Sequence, residues 1–495
     1  MGQPVAAIDL GSNSFHLVAA EVREGSLVIV DRLKDPVRLA AGLDADRRLD
    51  EASQERALES LRRMGQRLAE LPRGSVRCVG TNTLRQARNR AAFLRKAQVA
   101  LGHRIEVVSG REEARLIYLG VGRDLEQEGP RLVVDIGGGS TELAVGEGPE
   151  PEMVDSLYMG CVSWTMRFFA DGRITEEGMD AAVNAARMEL SGLKRRYRGA
   201  QWEFVLGSSG TIKAVETILR ENNLSPDGIT GEGVERLRQR LIRAGRIRDI
   251  YLQGVSDTRR EVLPGGLAVL VAVVDSLGIE RMVASQSALR EGLLVDLVGR
   301  LGDRDARQTT IQALQKRYAV DVDHAERVAA TVGAIAEALS ADWSLSDRDR
   351  RLVQWAARLH EVGTSIAFSG HHKHGAYILE HADMPGFARR EQRALSLVVR
   401  GHRGKFTPNE LAEQAVLEDD GGRAVIRLAL LLRLATTLHR TRSPTPRPTL
   451  NAVIDDDGVC LVFPEGYLAG HPLTVMDLER SAAAFRKAGL ELSSR

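Results

Sequence analysis

The sequence predicts a mixed α/β protein with two related halves that face each other across a cleft, followed by a mainly helical region. One short motif begins at residue 8 and recurs at residue 134. It consists of a hydrophobic residue, Asp, a second hydrophobic residue and Gly, followed by small residues that end in Ser. Up to about residue 303, short apolar strands alternate with helical patterns, which is typical of sheets layered with helices. From about residue 304 to about 440, helical periodicity dominates instead.

The composition is that of a soluble globular protein. The chain has 495 residues, which a prior of ~150 residues per domain divides into about three domains. The net charge of +1 gives no overall field that would attract nucleic acid or a membrane surface. The longest apolar run, 267–274, is too short to span a bilayer, and no secretory signal is visible, so we expect a cytoplasmic protein. Cys78, Cys161 and Cys460 have neither metal nor redox spacing and are interpreted as reduced.

Each element of the first half has its own signal. Residues 5–30 are predicted to form strands around the first motif copy, and the spacing of apolar residues predicts a helix over 51–70. Short buried strands are expected at 76–80 and 105–108. The second of these leads into a helix that begins at Ser109, which is followed three positions later by a Glu, the capping-box pattern.

The second half and the C-terminal region follow the same logic. An amphipathic helix is expected over 176–198, and residues 203–213 have the pattern of a strand, a Gly/Ser turn and a helix start. After the helical region, strands near 450–454 and 459–463 and a helix over 475–487 predict a small α+β end piece.

Three turns rich in Gly and Ser are candidate phosphate-binding elements. Such turns expose successive backbone N–H groups that can hold phosphate oxygens, although any single one is equally well a tight turn in a compact sheet. Arg85 could grip a phosphate with its guanidinium group, and Lys213 begins the helix after the third turn; solvated surface cations are the alternative. The candidate phosphate ligands are Gly11, Ser12, Asn13, Ser14, Arg85, Gly137, Gly138, Gly139, Ser140, Thr141, Gly207, Ser208, Ser209, Gly210, Thr211 and Lys213.

Carboxylates next to these turns are candidate metal ligands. Asp9 and Asp135 directly precede two of the turns, where a carboxylate can hold a hydrated divalent cation. The alternative is that they stiffen the turns. Glu142 takes the place in the second copy that His16 holds in the first, so we favour Asp135 with Glu142, and the two halves are not chemically equivalent. His16 itself is interpreted as a structural histidine.

The motifs together resemble those of the exopolyphosphatase / guanosine pentaphosphate phosphohydrolase (Ppx/GppA) family. In order and spacing the resemblance covers the first 300 residues or so, through motifs at 9–16, 110–115, 135–142 and 207–211. Two later stretches, 359–363 and 371–377, resemble the long bacterial exopolyphosphatase branch, which carries an HD-like helical domain.

This resemblance implies two actin-like (ribonuclease-H-like) domains that form a cleft, at 1–125 and 126–303. It further implies an all-α HD-like domain at 304–440, with the small α+β domain at 441–495. The implied cofactor is Mg²⁺ and the implied assembly a homodimer. The implied reaction is the removal of terminal orthophosphate from linear inorganic polyphosphate. Our main prediction is this reaction, made processive by a basic groove in the helical region.

Glu113 is the predicted general base. It matches the second Glu of the family motif at 110–115, which the resemblance assigns to activating the attacking water. Physically, a carboxylate in the first turn of a helix can accept a proton from water if it faces a phosphate cleft. The alternative is that Glu112 and Glu113 only complement the helix dipole; we assign Glu112 to capping.

The helical region departs from the HD pattern. His324 and His360 could supply two metal ligands, but Glu361 stands where the pattern has Asp, and the last helix lacks the expected Asp, which counts against an independent metal centre. Basic residues at 371–374 and 389–405 are predicted to contribute to a groove for a long polyanion. A solvated face with interspersed acids is the alternative.

Three other functions compete with the exopolyphosphatase prediction. The nearest is hydrolysis of the 5′ γ-phosphate of guanosine pentaphosphate, which the same cleft could perform. An actin-fold kinase would need a nucleoside pocket and a base beside a substrate hydroxyl, and the sequence shows no separate sugar or acetate signature. A non-catalytic sensor of polyphosphate or alarmone would bind through the same turns without cutting.

Overall fold

The computed structural model describes residues 3–23, 26–122, 129–301, 305–415, 422–444, 451–455 and 458–495. The chain forms two compact units, residues 1–305 and 306–495. The predicted domain boundaries at 125/126 and 303/304 lie outside the described residues, as does the first residue of the predicted strand at 450–454. The division into four domains therefore stays a prediction.

The first sheet of unit 1 has five strands in the order β3-β2-β1-β4-β5. Strand β2 runs antiparallel to both β1 and β3, whereas β4 and β5 run parallel to β1. The strands are β1 (Gln3–Leu10), β2 (Phe15–Arg23), β3 (Ser26–Asp35), β4 (Val76–Gly80) and β5 (Ile105–Val107). The helices of this part are α1 (Glu51–Leu68), α2 (Asn82–Gln86), α3 (Arg90–Leu101) and α4 (Gly110–Val121).

The second sheet repeats this arrangement with one strand more, in the order β10-β11-β9-β6-β7-β8. Its strands are β6 (Arg131–Ile136), β7 (Thr141–Gly146), β8 (Met153–Leu157), β9 (Phe204–Ser208), β10 (Ile229–Thr230) and β11 (Arg281–Ala284). Its helices are α5 (Cys161–Phe168), α6 (Glu176–Gly199), α7 (Ser209–Glu221), α8 (Gly231–Ala244), α9 (Asp257–Arg260), α10 (Leu263–Leu277) and α11 (Leu289–Leu301).

The duplicated motif forms the centre of each sheet. In the first copy Asp9 pairs with His16 across β1 and β2, and in the second Asp135 pairs with Glu142 across β6 and β7. The same positions of the motif therefore stand side by side in both sheets. The predicted mixed α/β class is confirmed, and the shared strand order fits the expected pair of actin-like domains.

Local signals placed α1, α4, α6 and the start of α7 correctly, whereas α3, α5 and α8 to α11 were not predicted. The Asp50 carboxylate begins α1 by accepting the Ser53 backbone N–H at 2.6 Å. At α4 the predicted N-cap is confirmed, since the Ser109 hydroxyl accepts the Glu112 N–H at 3.1 Å. The Glu112 carboxylate accepts hydrogen bonds from Arg115 at 2.8 and 2.9 Å, so its main partner is that guanidinium group rather than the helix end.

Unit 2 is mainly helical and ends in a three-stranded sheet. Its helices are α12 (Ala306–Arg317), α13 (Val322–Ala338), α14 (Asp347–Leu359), α15 (His371–His381), α16 (Arg389–Gly401), α17 (Pro408–Gln414), α18 (Arg423–Leu438) and α19 (Pro472–Lys487). The sheet has the order β12-β13-β14, formed by β12 (Asn451–Asp455), β13 (Gly458–Val462) and β14 (Glu491–Ser494).

One hydrophobic core runs through unit 2 from the helices to the C-terminal sheet. It joins Ile311 of α12 and Val332 of α13 to Leu461 of β13 and Phe485 of α19. The predicted C-terminal strands and helix are confirmed, whereas β14 was not predicted. The HD-like description of the helices stays a prediction.

Candidate active site

The turns after β1 and β6 meet at one cavity in unit 1. A Cβ atom on Gly138 would stand only 3.1 Å from the Ser12 Cβ, so the two turns are in direct contact. The cavity has a volume of about 120 Å³ and opens to solvent. Eleven of the predicted phosphate ligands line it, namely Gly11, Ser12, Asn13, Ser14, Gly137, Gly138, Gly139, Ser140, Ser209, Gly210 and Thr211.

Backbone hydrogen bonds hold the first two turns in place. The Ser12 carbonyl accepts the Ala40 N–H at 2.9 Å, and the Gly138 carbonyl accepts the Val162 N–H at 2.8 Å. Because neighbouring backbone satisfies these carbonyls, the turns are preorganised before any ligand arrives. Preorganised dipoles cost no reorganisation when an anion binds.

The third turn is strained and fastened to the second. Ser209 has a left-handed backbone conformation, with φ +67°, at the start of α7. Its hydroxyl donates to the Ile136 carbonyl at 2.6 Å, at the end of β6. Non-glycine residues in this conformation concentrate at binding sites, where the surrounding structure fixes them.

Three carboxylates near the turns are electrostatically costly in the absence of a cation. Desolvation by burial, and then the charge of Glu113, raises the pKa of Asp9 well above its usual value. Burial raises the pKa of Asp135 to about 7, although the Ser208 hydroxyl donates a hydrogen bond to it. Burial and the charges of Glu113 and Asp135 likewise raise the pKa of Glu142.

Two orphaned oxygens make these carboxylates a fitting site for Mg²⁺. Asp9 Oδ1 and Glu142 Oε2 are buried and accept no hydrogen bond from any described residue. An anionic oxygen without a donor is destabilising, and hard oxygen donors are the ligands that Mg²⁺ prefers. Asp9 and Asp135 line the cavity, while Glu142 lies beside Asp135 on the neighbouring strand. Because Mg²⁺ keeps several waters, the three need not all touch the ion.

Glu113 lines the same cavity as both motif turns. Its Oε2 atom accepts a hydrogen bond from Arg85 Nη1 at 2.5 Å, and both side chains are under 10% exposed, at 9% and 7%. Arg85 does not line the cavity, and its buried Nη2 has no partner among the described residues. In this arrangement Arg85 positions Glu113 and lies behind it.

Five further predicted residues stand outside the lining of the cavity. The Thr141 hydroxyl donates to the Met159 carbonyl at 2.6 Å, and Lys213 donates to the Gln286 carbonyl at 2.8 Å. The remaining three are Glu142, Ser208 and Gly207. Ser208 and Gly207 are the last residues of β9, so they support the third turn from the strand that leads into it.

Sequence reasoning missed Arg259. This half-buried residue of the short helix α9 lines the cavity, and its side chain makes no hydrogen bond or ion pair with the described residues. Its guanidinium group lies so close to Gly210 that a Cβ atom there would collide with it. Arg259 follows no strand and belongs to no turn motif, so no local signal marks it.

His16 and Asn82 also face the cavity. Burial, and then the charge of Arg290, lowers the pKa of His16 to about 3, so the ring is neutral near pH 7. The Asn82 side chain lies where a Cβ atom on Gly139 would be, which brings the start of α2 against the second turn. Asn82 stands in a stretch that the sequence analysis had singled out only for Arg85.

In unit 2 the predicted basic cluster is divided between surface and interior. His371 and His402 are 3% exposed, so they do not belong to a solvated cationic face. Arg403 and Lys405 are exposed, whereas Arg393 forms an ion pair with Glu380. The buried histidines therefore cannot line the predicted polyanion groove. A groove lined by the exposed basic residues stays a prediction.

Two mixed sheets bring Gly/Ser turns, buried carboxylates and Glu113 to one cavity, an arrangement suited to the hydrolysis of a phosphoanhydride. The chain belongs to the Ppx/GppA phosphatase family. That family matches residues 18–301, and its domain III matches residues 306–482. As a member it is a hydrolase that acts on phosphoanhydride bonds.

Curated relatives match almost the whole chain. A protein of Aeromonas hydrophila is 40% identical over 98% of this chain and 97% of its own length. One of Vibrio campbellii is 37% identical over 96% of this chain and 94% of its own. Both carry the name guanosine-5'-triphosphate,3'-diphosphate pyrophosphatase.

Solved structures resemble a little over half of the chain. The Aquifex aeolicus PPX-GPPA enzyme is 29% identical, with a TM-score of 0.51, over 59% of this chain and 99% of that one. An exopolyphosphatase from Cytophaga hutchinsonii is 24% identical over 60% of this chain and 98% of that one. Its TM-score of 0.54 shows that the two proteins share a fold. None of the described helices is both long and apolar enough to cross a membrane.

Proposed function

We propose that the chain hydrolyses the terminal 5′-phosphate of guanosine 5′-triphosphate 3′-diphosphate. Its full-length relatives bear the name of that activity. The catalytic part of the proposal rests on one observation: Glu113 lines the cavity that both glycine turns line. The exopolyphosphatase prediction uses the same chemistry, but the names of these relatives favour its alternative.

The reaction is an in-line displacement at the terminal phosphorus. A water oxygen forms a bond to the γ-phosphorus and transfers a proton to the Glu113 carboxylate. The bond from the γ-phosphorus to the bridging oxygen breaks, and that oxygen keeps the electron pair as part of the β-phosphate. The products are orthophosphate and guanosine 5′-diphosphate 3′-diphosphate.

The chain's own groups divide the remaining work. Backbone N–H groups of the three turns hold the non-bridging oxygens, and Arg259 adds a guanidinium group beside the third turn. Arg85 fixes the orientation of Glu113 through their 2.5 Å hydrogen bond. A Mg²⁺ ion held by Asp9 and Asp135, with Glu142 nearby, would supply positive charge to the phosphate oxygens.

The substrate is tested by measuring orthophosphate release from guanosine pentaphosphate and from polyphosphates of several lengths in parallel, with Mg²⁺ and with EDTA. We expect a higher kcat/KM for guanosine pentaphosphate and loss of activity in EDTA. Release from polyphosphate alone would restore the exopolyphosphatase prediction. Tight binding of either anion without release would instead support the sensor.

A further inference from the structure

The helical unit, residues 306–495, holds a buried group of histidines that the proposed phosphatase reaction does not use. Six rings form one connected group, with neighbouring ring centroids 5.5–6.4 Å apart. Five of the six are buried, which is unusual for so many imidazoles in one place. The six are His324, His360, His371, His372, His402 and His439, from the ends of five helices.

Three of these rings share one orientation. His360, His371 and His402 each direct Nδ1 at the carbonyl of the residue three positions earlier, at 2.6, 3.0 and 2.5 Å. A carbonyl only accepts, so Nδ1 carries the proton and Nε2 keeps its lone pair. Metal-bound histidines are oriented in this way by a backbone carbonyl on the other ring nitrogen.

Two of the histidines converge with a carboxylate. Ligand atoms of His324, His360 and Glu361 all lie within 4.8 Å of one another, the one such group of three among the described residues. His360 Nε2 is 4.0 Å from Glu361 Oε1. His324 is 4% exposed, and its buried Nδ1 has no hydrogen-bond partner among the described residues.

We propose that His324, His360 and Glu361 bind a divalent transition-metal ion of the zinc class. Two imidazoles and one carboxylate form a set that such ions favour, with a further position left for water. Metal–ligand bonds of about 2.0 Å in a tetrahedron put ligand atoms about 3.3 Å apart, so small side-chain rotations close the site. Glu361 departs from the HD pattern, which predicted no metal here, but its carboxylate offers the same donor atoms as an Asp.

Arg442 competes with the metal for this site. Its guanidinium group forms ion pairs with Glu361 and, at 2.9 Å, with Asp321, which caps the helix that carries His324. The backbone of Arg442 has a left-handed conformation, with φ +56°. A bound dication would displace the guanidinium group from Glu361, so the arginine sets how tightly the metal is held.

The test uses the full-length protein after removal of metals with a chelator. Zn²⁺ binding is measured by calorimetry and Co²⁺ binding by visible absorption. The Co²⁺ spectrum reports the ligand types and whether the ion has fewer than six ligands. We expect a saturable site for about one equivalent of metal in wild type and at least a roughly tenfold weaker site in Glu361→Gln and His324→Gln. Arg442→Gln should bind several-fold more tightly than wild type.

Two controls separate this site from other metal binding. His471→Gln removes an exposed histidine of the same unit whose Nδ1 also faces a backbone carbonyl, at 2.7 Å, and it should bind like wild type. Asp9→Asn disturbs the carboxylates of unit 1 and should leave the Co²⁺ spectrum unchanged. Circular dichroism identifies any variant that fails to fold, in which case Arg442→Gln decides. A wild type without a saturable site, or equal affinity in wild type, Glu361→Gln and Arg442→Gln, would overturn the proposal.

Discussion

Replacing Glu113 by glutamine separates catalysis from folding in this protein. The amide keeps the shape of the side chain and an oxygen that can accept from Arg85, but it cannot take the proton of the attacking water. A positioned general base contributes about 10²–10⁴-fold, which is about 3–5 kcal/mol of barrier. We therefore expect kcat to fall by that factor, with little change in the affinity for the substrate.

The same substitution has a stability cost that follows from the ion pair. Both partners are under 10% exposed, and the other acceptor of the Arg85 guanidinium group is the Val108 carbonyl at 3.4 Å. Weakening such a pair while keeping one acceptor costs about 1–3 kcal/mol, less than the roughly 3–5 kcal/mol expected when a partner is removed outright. The variant should fold, with a lower Tm.

Glu112→Gln is the matched control. It is the preceding residue of α4, buried to 3% exposure, and its carboxylate accepts two hydrogen bonds from Arg115. It should lose stability by a similar amount and retain kcat within a few-fold of wild type, since it does not line the cavity. Both variants are assayed for orthophosphate release, with binding measured by calorimetry. A folded Glu113→Gln with a tenth or more of wild-type kcat would refute the assignment of the base.

Three further substitutions test the site around Glu113. Burial raises the pKa of Asp135 from its usual 3.8 to about 7 in the folded protein, so the native state holds a proton that the unfolded chain releases between these values. In EDTA, stability should therefore fall as pH rises through that window, and Asp135→Asn should raise Tm more at about pH 8 than at about pH 5; an equal shift at both would contradict this. Arg259→Gln should raise KM at least about tenfold without lowering Tm, since its guanidinium group has no described partner to lose; an unchanged KM would remove it from the site. Gly139→Ala should lower kcat/KM strongly, because its Cβ atom would displace Asn82, and restored kinetics in Gly139→Ala with Asn82→Ala would show that this collision is the cause.

The sequence was informative where strand, turn and helix are neighbours in the chain. The motif revealed the two related halves because it forms a strand, a turn and a second strand within a short stretch of chain. The Asp before each turn and its cross-strand partner are only seven residues apart, so both appear in one local pattern. The N-cap at Ser109 was visible for the same reason. Eleven of the candidate phosphate ligands proved to share one cavity, since each turn ends a central strand.

Long-range contacts were invisible to this reasoning. The guanidinium group of Arg85 suggested a phosphate ligand. Its hydrogen bond to Glu113, visible only in the structure, identifies it as a residue that positions Glu113. Arg259 reaches the third turn from a four-residue helix with no motif of its own. His324 and His360 were recognised as possible ligands, but their convergence with Glu361 depends on how α13 packs on α14.

The two halves of unit 1 are asymmetric in a way that the proposed single reactive centre requires. Asp9 is paired with His16, whose ring stays neutral near pH 7, whereas Asp135 is paired with Glu142. The acidic pair therefore lies in the second sheet, while the base comes from α4 of the first half, which packs against β7 and β8. Neither half holds both groups. The turns of both halves must therefore hold the same anion for the water beside Glu113 to face its phosphorus. A substitution that separates Gly138 from Ser12 should abolish turnover even with every carboxylate in place.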